Sequence, residues 1–174
     1  DGTLAPIRSR PEEAVPSHRL CELLRTLGTD AANRVVICSG RDSGTLEKWF
    51  GGLPVSLAAE HGAFYKDRGA WRCNIRPASW DPKLSALLEH FARKTPRSRI
   101  ERKQTALAWH YREADSWLGQ LRAQQLVNAL MPLCARLNLH ILQGDKVVEI
   151  KSPRFTKGSE TLRLLRQERY DFIL

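Results

Sequence analysis

Three short segments of this chain carry residue types that handle phosphate: Asp1-Gly2-Thr3, Ser39-Gly40-Arg41 and Thr156-Lys157-Gly158. An acid can give a proton to a leaving oxygen. A hydroxyl and the backbone N–H groups of a helix N-terminus can hold phosphoryl oxygens. A lysine can neutralise the charge that develops as a phosphoryl group moves. Taken singly, each has an ordinary reading: a turn, a helix entry, a solvated lysine. In this order they form a phosphate-handling set. Each lies at the carboxyl end of a strand or the start of a helix, where open α/β sheets bind their ligands.

The elements that must hold these segments can be read from periodicity and punctuation. Ser17 is placed to cap a helix carrying Leu20, Leu23, Leu24 and Leu27, with Gly28 as its C′ glycine. Val35-Val36-Ile37-Cys38 is a short apolar run of the kind buried on both faces of a parallel sheet. Asp42 caps a second helix through Leu46, Trp49 and Phe50. Ser56 to Glu60 is a weaker strand, and Phe64-Tyr65 with Trp71-Arg72 forms a small hairpin. This order of helix, strand, helix and strand predicts an α/β sheet.

The middle differs. A helix over Trp80–Phe91 precedes two strands, 99–103 and 105–112. In the second, Leu107, Trp109 and Tyr111 face one way while Ala108, His110 and Arg112 face the other. A longer helix over Asp115–Leu137 contains Pro132, which predicts a kink or an early stop. Strands at 139–142 and 147–150 flank Gly144-Asp145. The unit helix–strand–strand–helix–strand–strand is a compact α+β module. A last helix opens at Lys157-Gly158, and Asp171–Leu174 begins another buried strand.

Composition bounds the possibilities. The chain has 174 residues, a formal charge of +9 and 42% hydrophobic residues, too apolar for disorder. No apolar run approaches the roughly 18 residues of a membrane span. The four cysteines, Cys21, Cys38, Cys73 and Cys134, lack paired metal-ligand spacing and read as reduced thiols of a cytoplasmic protein. The basic excess is spread out: +2 over residues 1–78, +5 over 79–152 and +2 over 153–174. With no basic run and no nucleic-acid module, it fits a positive rim for a small anion better than DNA or RNA. The start at Asp1 without Met and the stop at Leu174 read as those of a fragment.

The segments resemble the haloacid-dehalogenase-type phosphohydrolases and, more narrowly, the trehalose-6-phosphate phosphatases. The resemblance runs almost end to end. It is carried by Asp1-Gly2-Thr3-Leu4, residues 35–41, Ala59-Glu60-His61-Gly62-Ala63, Ile100-Glu101-Arg102-Lys103, Ala108-Trp109-His110-Tyr111-Arg112, residues 143–149 and Lys157-Gly158. The Glu-His-Gly, Glu-x-Lys, Trp-His-Tyr-Arg and Lys-Val-Val-Glu segments narrow it; the others belong to the superfamily at large. It implies an α/β fold, with a haloacid-dehalogenase-type Rossmann-like core over 1–78 and 153–174 and an inserted α+β cap domain over 79–152. The implied reaction is Mg2+-dependent hydrolysis of trehalose 6-phosphate through an aspartyl-phosphate. Alternatives are a phosphatase of another sugar phosphate, or an inactive regulatory domain fused to a trehalose-phosphate synthase. A fused or associated synthase is the implied partner.

Position by position, the resemblance makes Asp1 the general acid/base, its backbone carbonyl also a Mg2+ contact. Ser39, with Gly40 and Arg41, binds the phosphoryl group, and Lys157 stabilises its charge. Glu101, Lys103, Arg112, Lys146 and Glu149 bind the sugar in the cap, with His61 a further candidate in the core. The nucleophilic Asp is expected two residues before Asp1 and an acidic metal loop after Leu174, so this segment alone is expected to be inactive. Strand alternation puts Glu101 and Lys103 on one face of their strand, and Arg112 on the same face as His110 in the next strand. Lys146 and Glu149, three apart, converge only if Lys146 lies in the turn.

Overall fold

A computed structural model describes residues 3–8, 10–67, 69–73 and 80–173. In chain order the elements are α1 (His18–Thr29), β1 (Val36–Cys38), α2 (Ser43–Phe50), β2 (Ser56–Ala59), β3 (Phe64–Lys66), β4 (Arg72–Cys73) and α3 (Pro82–Arg93). They continue as β5 (Arg99–Arg102), β6 (Ala106–His110), α4 (Ser116–Leu137), β7 (His140–Gly144), β8 (Val147–Lys151) and α5 (Lys157–Leu165). The chain divides into two compact units, Asp1–Arg76 with Arg154–Leu174, and Pro77–Pro153.

In the first unit the sheet order is β1-β2-β3-β4, with β1 parallel to β2 and the other pairs antiparallel. Alternation splits its side chains between two layers. Ile37, Leu57, Ala59 and Phe64 pack with Leu24 of α1 and with Leu46 and Phe50 of α2. Ala58 and Tyr65 pack with Leu164 of α5 on the other face. β2 is buried at all its residues, so the weaker strand of the sequence is an interior one. It stops at Ala59, because Glu60 turns to positive φ. The expected caps form: Ser17 Oγ accepts from the Leu20 N–H at 3.2 Å, and Asp42 Oδ1 from the Thr45 N–H at 2.9 Å. Gly28 is not the C′ residue. It lies inside α1, where a Cβ would stand 2.3 Å from the Pro54 carbonyl oxygen.

The expected strand over Asp171–Leu174 is absent from residues 171–173. Phe172 and Ile173 are exposed, and no described strand pairs with them. A strand exists only where a neighbour completes its ladder. The preceding residues are tied down by side chains instead. Arg34 bonds Glu168, and also reaches Tyr170 Oη (3.4 Å) and Tyr65 Oη (3.0 Å).

The second unit is an antiparallel sheet, order β5-β6-β8-β7. Leu84, Leu88 and Phe91 of α3 pack with Leu126, Leu130 and Cys134 of α4 against Leu107, Trp109, Val148 and Ile150. The buried Trp109 keeps its polar end satisfied, donating from Nε1 to Ser98 Oγ at 3.1 Å. α4 runs through Pro132 to Leu137 without the expected stop. A proline in a helix interior costs about 3 kcal/mol. Each large apolar side chain that α4 buries on either side returns about 1.5–3 kcal/mol, so packing wins. The helices occupy one sheet face, and alternation turns Glu101, Ala108, His110 and Glu149 to the other.

Candidate functional site

In the first unit β1 ends at Cys38 and delivers Ser39-Gly40-Arg41 into the loop before α2. The Ser39 N–H donates to the Ala58 carbonyl at 2.9 Å, which extends the β1–β2 pairing past the strand end. Two further bonds join this loop to the segment after β2. The His61 N–H donates to Ser39 O (2.8 Å) and the Glu60 N–H to Arg41 O (2.9 Å). The Ser39 hydroxyl accepts from the Arg41 N–H at 3.1 Å. Its own proton can therefore rotate toward an anion. The Arg41 guanidinium lies over the Trp49 ring, 4.4 Å from its centroid.

The segment that receives these bonds is bent sharply. Glu60, His61 and Gly62 have φ of 45°, 63° and 100° in succession. Two of them bear side chains, and non-glycine residues held there cost about 1–3 kcal/mol each. The bend lays the His61 imidazole over Gly40. A Cβ at Gly40 would fall 2.9 Å from Nε2 of that ring. Gly62 abuts α5 in turn, with its own would-be Cβ 2.7 Å from Glu160 Cβ. Glu160 is buried and paired with Arg163 at 2.6 Å. α5 therefore starts beside the bend. Thr156 caps it reciprocally with Ser159, each hydroxyl accepting the other's N–H at 2.9 Å, and Lys157 is its first residue. Ser39, Gly40, Arg41 and His61 are thus brought together, with the Lys157 helix packed on the same bend. Asp1 lies outside the described residues.

In the second unit the register sets Glu101, Ala108 and Glu149 side by side across three strands. Lys103 joins the two carboxylates, at 3.0 Å from Glu149 Oε1 and 3.9 Å from Glu101 Oε2. His110 Nε2 lies 2.7 Å from that same Oε2. Burial works against the charge of Glu101, but the His110 bond and the Lys103 charge outweigh it and hold its carboxyl below the usual range. Arg112 and Lys146 sit further along, at the β7–β8 turn. Lys146 lies in that turn with φ 60°, but its side chain runs to the α4 side of the sheet, away from the face that carries Glu149. Arg112 donates to Asp145 O (2.8 Å) and Oδ2 (2.9 Å). Lys146 Nζ reaches Ser116 Oγ at 3.2 Å, over the Tyr111 ring.

Sequence reasoning passed over three of these participants: His110, Asp145 and Trp49. Alternation puts His110 on the face of Ala108, but only the β5–β6 register brings it to Glu101. Among the described residues, no three His, Cys, Asp or Glu side chains are placed to hold a metal.

The family model described as trehalose-phosphatase matches residues 1–173. The chain belongs to the trehalose-phosphatase family. It is 42% identical to a trehalose-phosphatase of Zygosaccharomyces rouxii over 95% of its own length and 19% of that relative's. It is 39% identical to the bifunctional trehalose-6-phosphate synthase/phosphatase of Thermoproteus tenax, over 99% of its length and 24% of the relative's. The solved C-terminal domain of Candida albicans trehalose-6-phosphate phosphatase superposes with a TM-score of 0.90 at 37% identity, covering 99% of this chain and 61% of that one. The chain therefore spans about a fifth to a quarter of these curated relatives. Its fold is the haloacid-dehalogenase-type α/β core with an inserted α+β module.

Proposed function

We propose that the protein hydrolyses trehalose 6-phosphate to trehalose and phosphate, and that this segment supplies residues for both ends of the substrate. The observation that carries the reading is the Glu101–Lys103–Glu149 cluster, set on the sheet face away from α3 and α4. Carboxylates and an ammonium in one cluster suit a ligand whose hydroxyls both donate and accept. Arg112 and Lys146 add donors at the turn end of the same sheet. In the other unit Ser39 and the backbone of Gly40 and Arg41 would hold phosphoryl oxygens, with His61 beside them. Lys157 would offset the charge that builds on the phosphoryl group in transfer. Asp1 would protonate the leaving sugar oxygen. Domain limits of 1–78 with 153–174 for the core and 79–152 for the cap belong to the same proposal.

Mg2+ is proposed as cofactor on the family resemblance. The described residues do not by themselves make its site. A synthase, fused or associated, is the proposed partner, and the cytoplasm the proposed location. No helix among the described residues is long and apolar enough to cross a membrane.

Phosphate release by the full-length protein tests the function, with trehalose 6-phosphate compared against glucosyl-3-phosphoglycerate and mannosylglycerate phosphate. We expect trehalose 6-phosphate to be preferred by about ten-fold or more, the scale set when buried polar groups go unpaired with the wrong ligand. Equal rates would remove trehalose specificity. No release from any of the three would favour the regulatory reading.

A further inference from the structure

We propose that His110 is a positioning residue for sugar recognition. It holds the Glu101 carboxylate by one oxygen so that the other faces outward to accept a hydroxyl. The inference rests on the sugar-phosphatase reading of the cluster and adds a residue to it.

A glutamate has three rotatable bonds, and a ligand that must freeze them gives up affinity. Glu101 is already constrained. His110 Nε2 and Lys103 Nζ both address Oε2, at 2.7 and 3.9 Å. No described residue bonds Oε1, and the side chain keeps 38% of its exposure. One oxygen is anchored and the other is presented. Because Glu101 stays ionised and offers only acceptors, Nε2 must carry the proton in this pair.

The sheet makes this partnership specific. His110 and Glu101 are not directly opposite each other: His110 pairs with Arg99, and Glu101 with Ala108. The bond is diagonal, spanning a gap that a long side chain closes only because Ala108 leaves the space open. Lys103 cannot replace it, since its ammonium is closer to Glu149, at 3.0 Å. Without His110, Glu101 would retain only the longer contact and would swing toward Lys103, turning its free oxygen away from a ligand.

Steady-state kinetics of the full-length protein on trehalose 6-phosphate, with His110→Ala, His110→Gln, Glu101→Gln and the Glu101→Gln/His110→Ala double variant, test this. His110→Ala should raise KM about ten-fold with kcat kept within about two-fold, the scale of a hydrogen bond to a charged group. His110→Gln places an amide N–H near the position of Nε2 and should recover most of the loss. The double variant should be no worse than Glu101→Gln alone, because both changes disable one device. Thermal melting of each variant reports folding. An unchanged KM in His110→Ala, additive losses in the double variant, or equal losses in His110→Ala and His110→Gln would overturn the proposal. Inactivity of the unaltered protein on sugar phosphates would instead overturn the functional reading, and this inference with it.

Discussion

Three successive residues with positive φ, Glu60-His61-Gly62, set where the His61 ring rests and how close α5 can approach. Gly62 is the position without slack. Gly62→Ala would combine a left-handed backbone with a 2.7 Å collision against Glu160 Cβ, for a loss of about 2–4 kcal/mol. Urea denaturation of the variant should show a lower midpoint at an unchanged slope. The residue chemistry was unevenly legible in the sequence. Ser39-Gly40-Arg41 could be placed because a polar triplet after a short apolar run marks the end of a buried strand. Glu101 and Lys103 could be placed on one face because strand alternation is rigid. His110 was overlooked as a participant because its bond to Glu101 depends on the β5–β6 register, which no local pattern specifies. The bend at 60–62 was invisible too, since only Gly62 has a type that signals positive φ.

Among the elements, helix starts were the most readable feature, because each rests on one short-range bond. Asp42 shows what such a bond does. Its carboxylate accepts from the Thr45 N–H (2.9 Å) and hydroxyl (2.6 Å), anchoring the helix that follows the Ser39-Gly40-Arg41 loop. Burial works against its charge, but the Thr45 bonds outweigh it and hold its carboxyl below the usual range. Asp42→Ala should destabilise the protein by about 1 kcal/mol near neutrality. A carboxylate with a depressed folded-state pKa adds stability that is present above its unfolded value, about 3.9 for Asp. That stability is lost as pH falls through the folded value. The difference between variant and parent should therefore shrink in denaturation curves taken below about pH 4. Elements were misread where a local rule met a collective one. Pro132 lacks one hydrogen bond, but α4 is held by its whole buried stripe. Asp171–Phe172–Ile173 has strand-like composition, but composition supplies no partner strand.

At the scale of the molecule, the first unit is assembled from two stretches far apart in sequence, and α5 and Arg34 bind them together. Leu164 packs on Ala58 and Tyr65. Arg34, just before β1, holds Glu168 and Tyr170. Arg34→Ala should release the segment after α5 without dissolving the sheet. Amide hydrogen exchange over residues 167–171 should speed by about ten-fold or more while β2 stays protected. Loss of protection in β2 as well would show that Arg34 holds the unit and not only its last segment. The division into units was partly legible, since the change from parallel-sheet to antiparallel patterning marks the middle stretch. The clasp was not, because a single arginine before a strand looks like any other surface charge. The discontinuity also gives the protein a timetable. The ribosome must release all of 77–153 before α5 exists, a wait of roughly 4–15 s at about 5–20 residues per second. The middle unit is contiguous, but its interior strand β8 is made last, so it too is complete only as that interval closes; until then Ala58 and Tyr65 must stand without their covering helix. For those seconds the first sheet shows an apolar face with no helix on it, and that is when it depends on protection from aggregation.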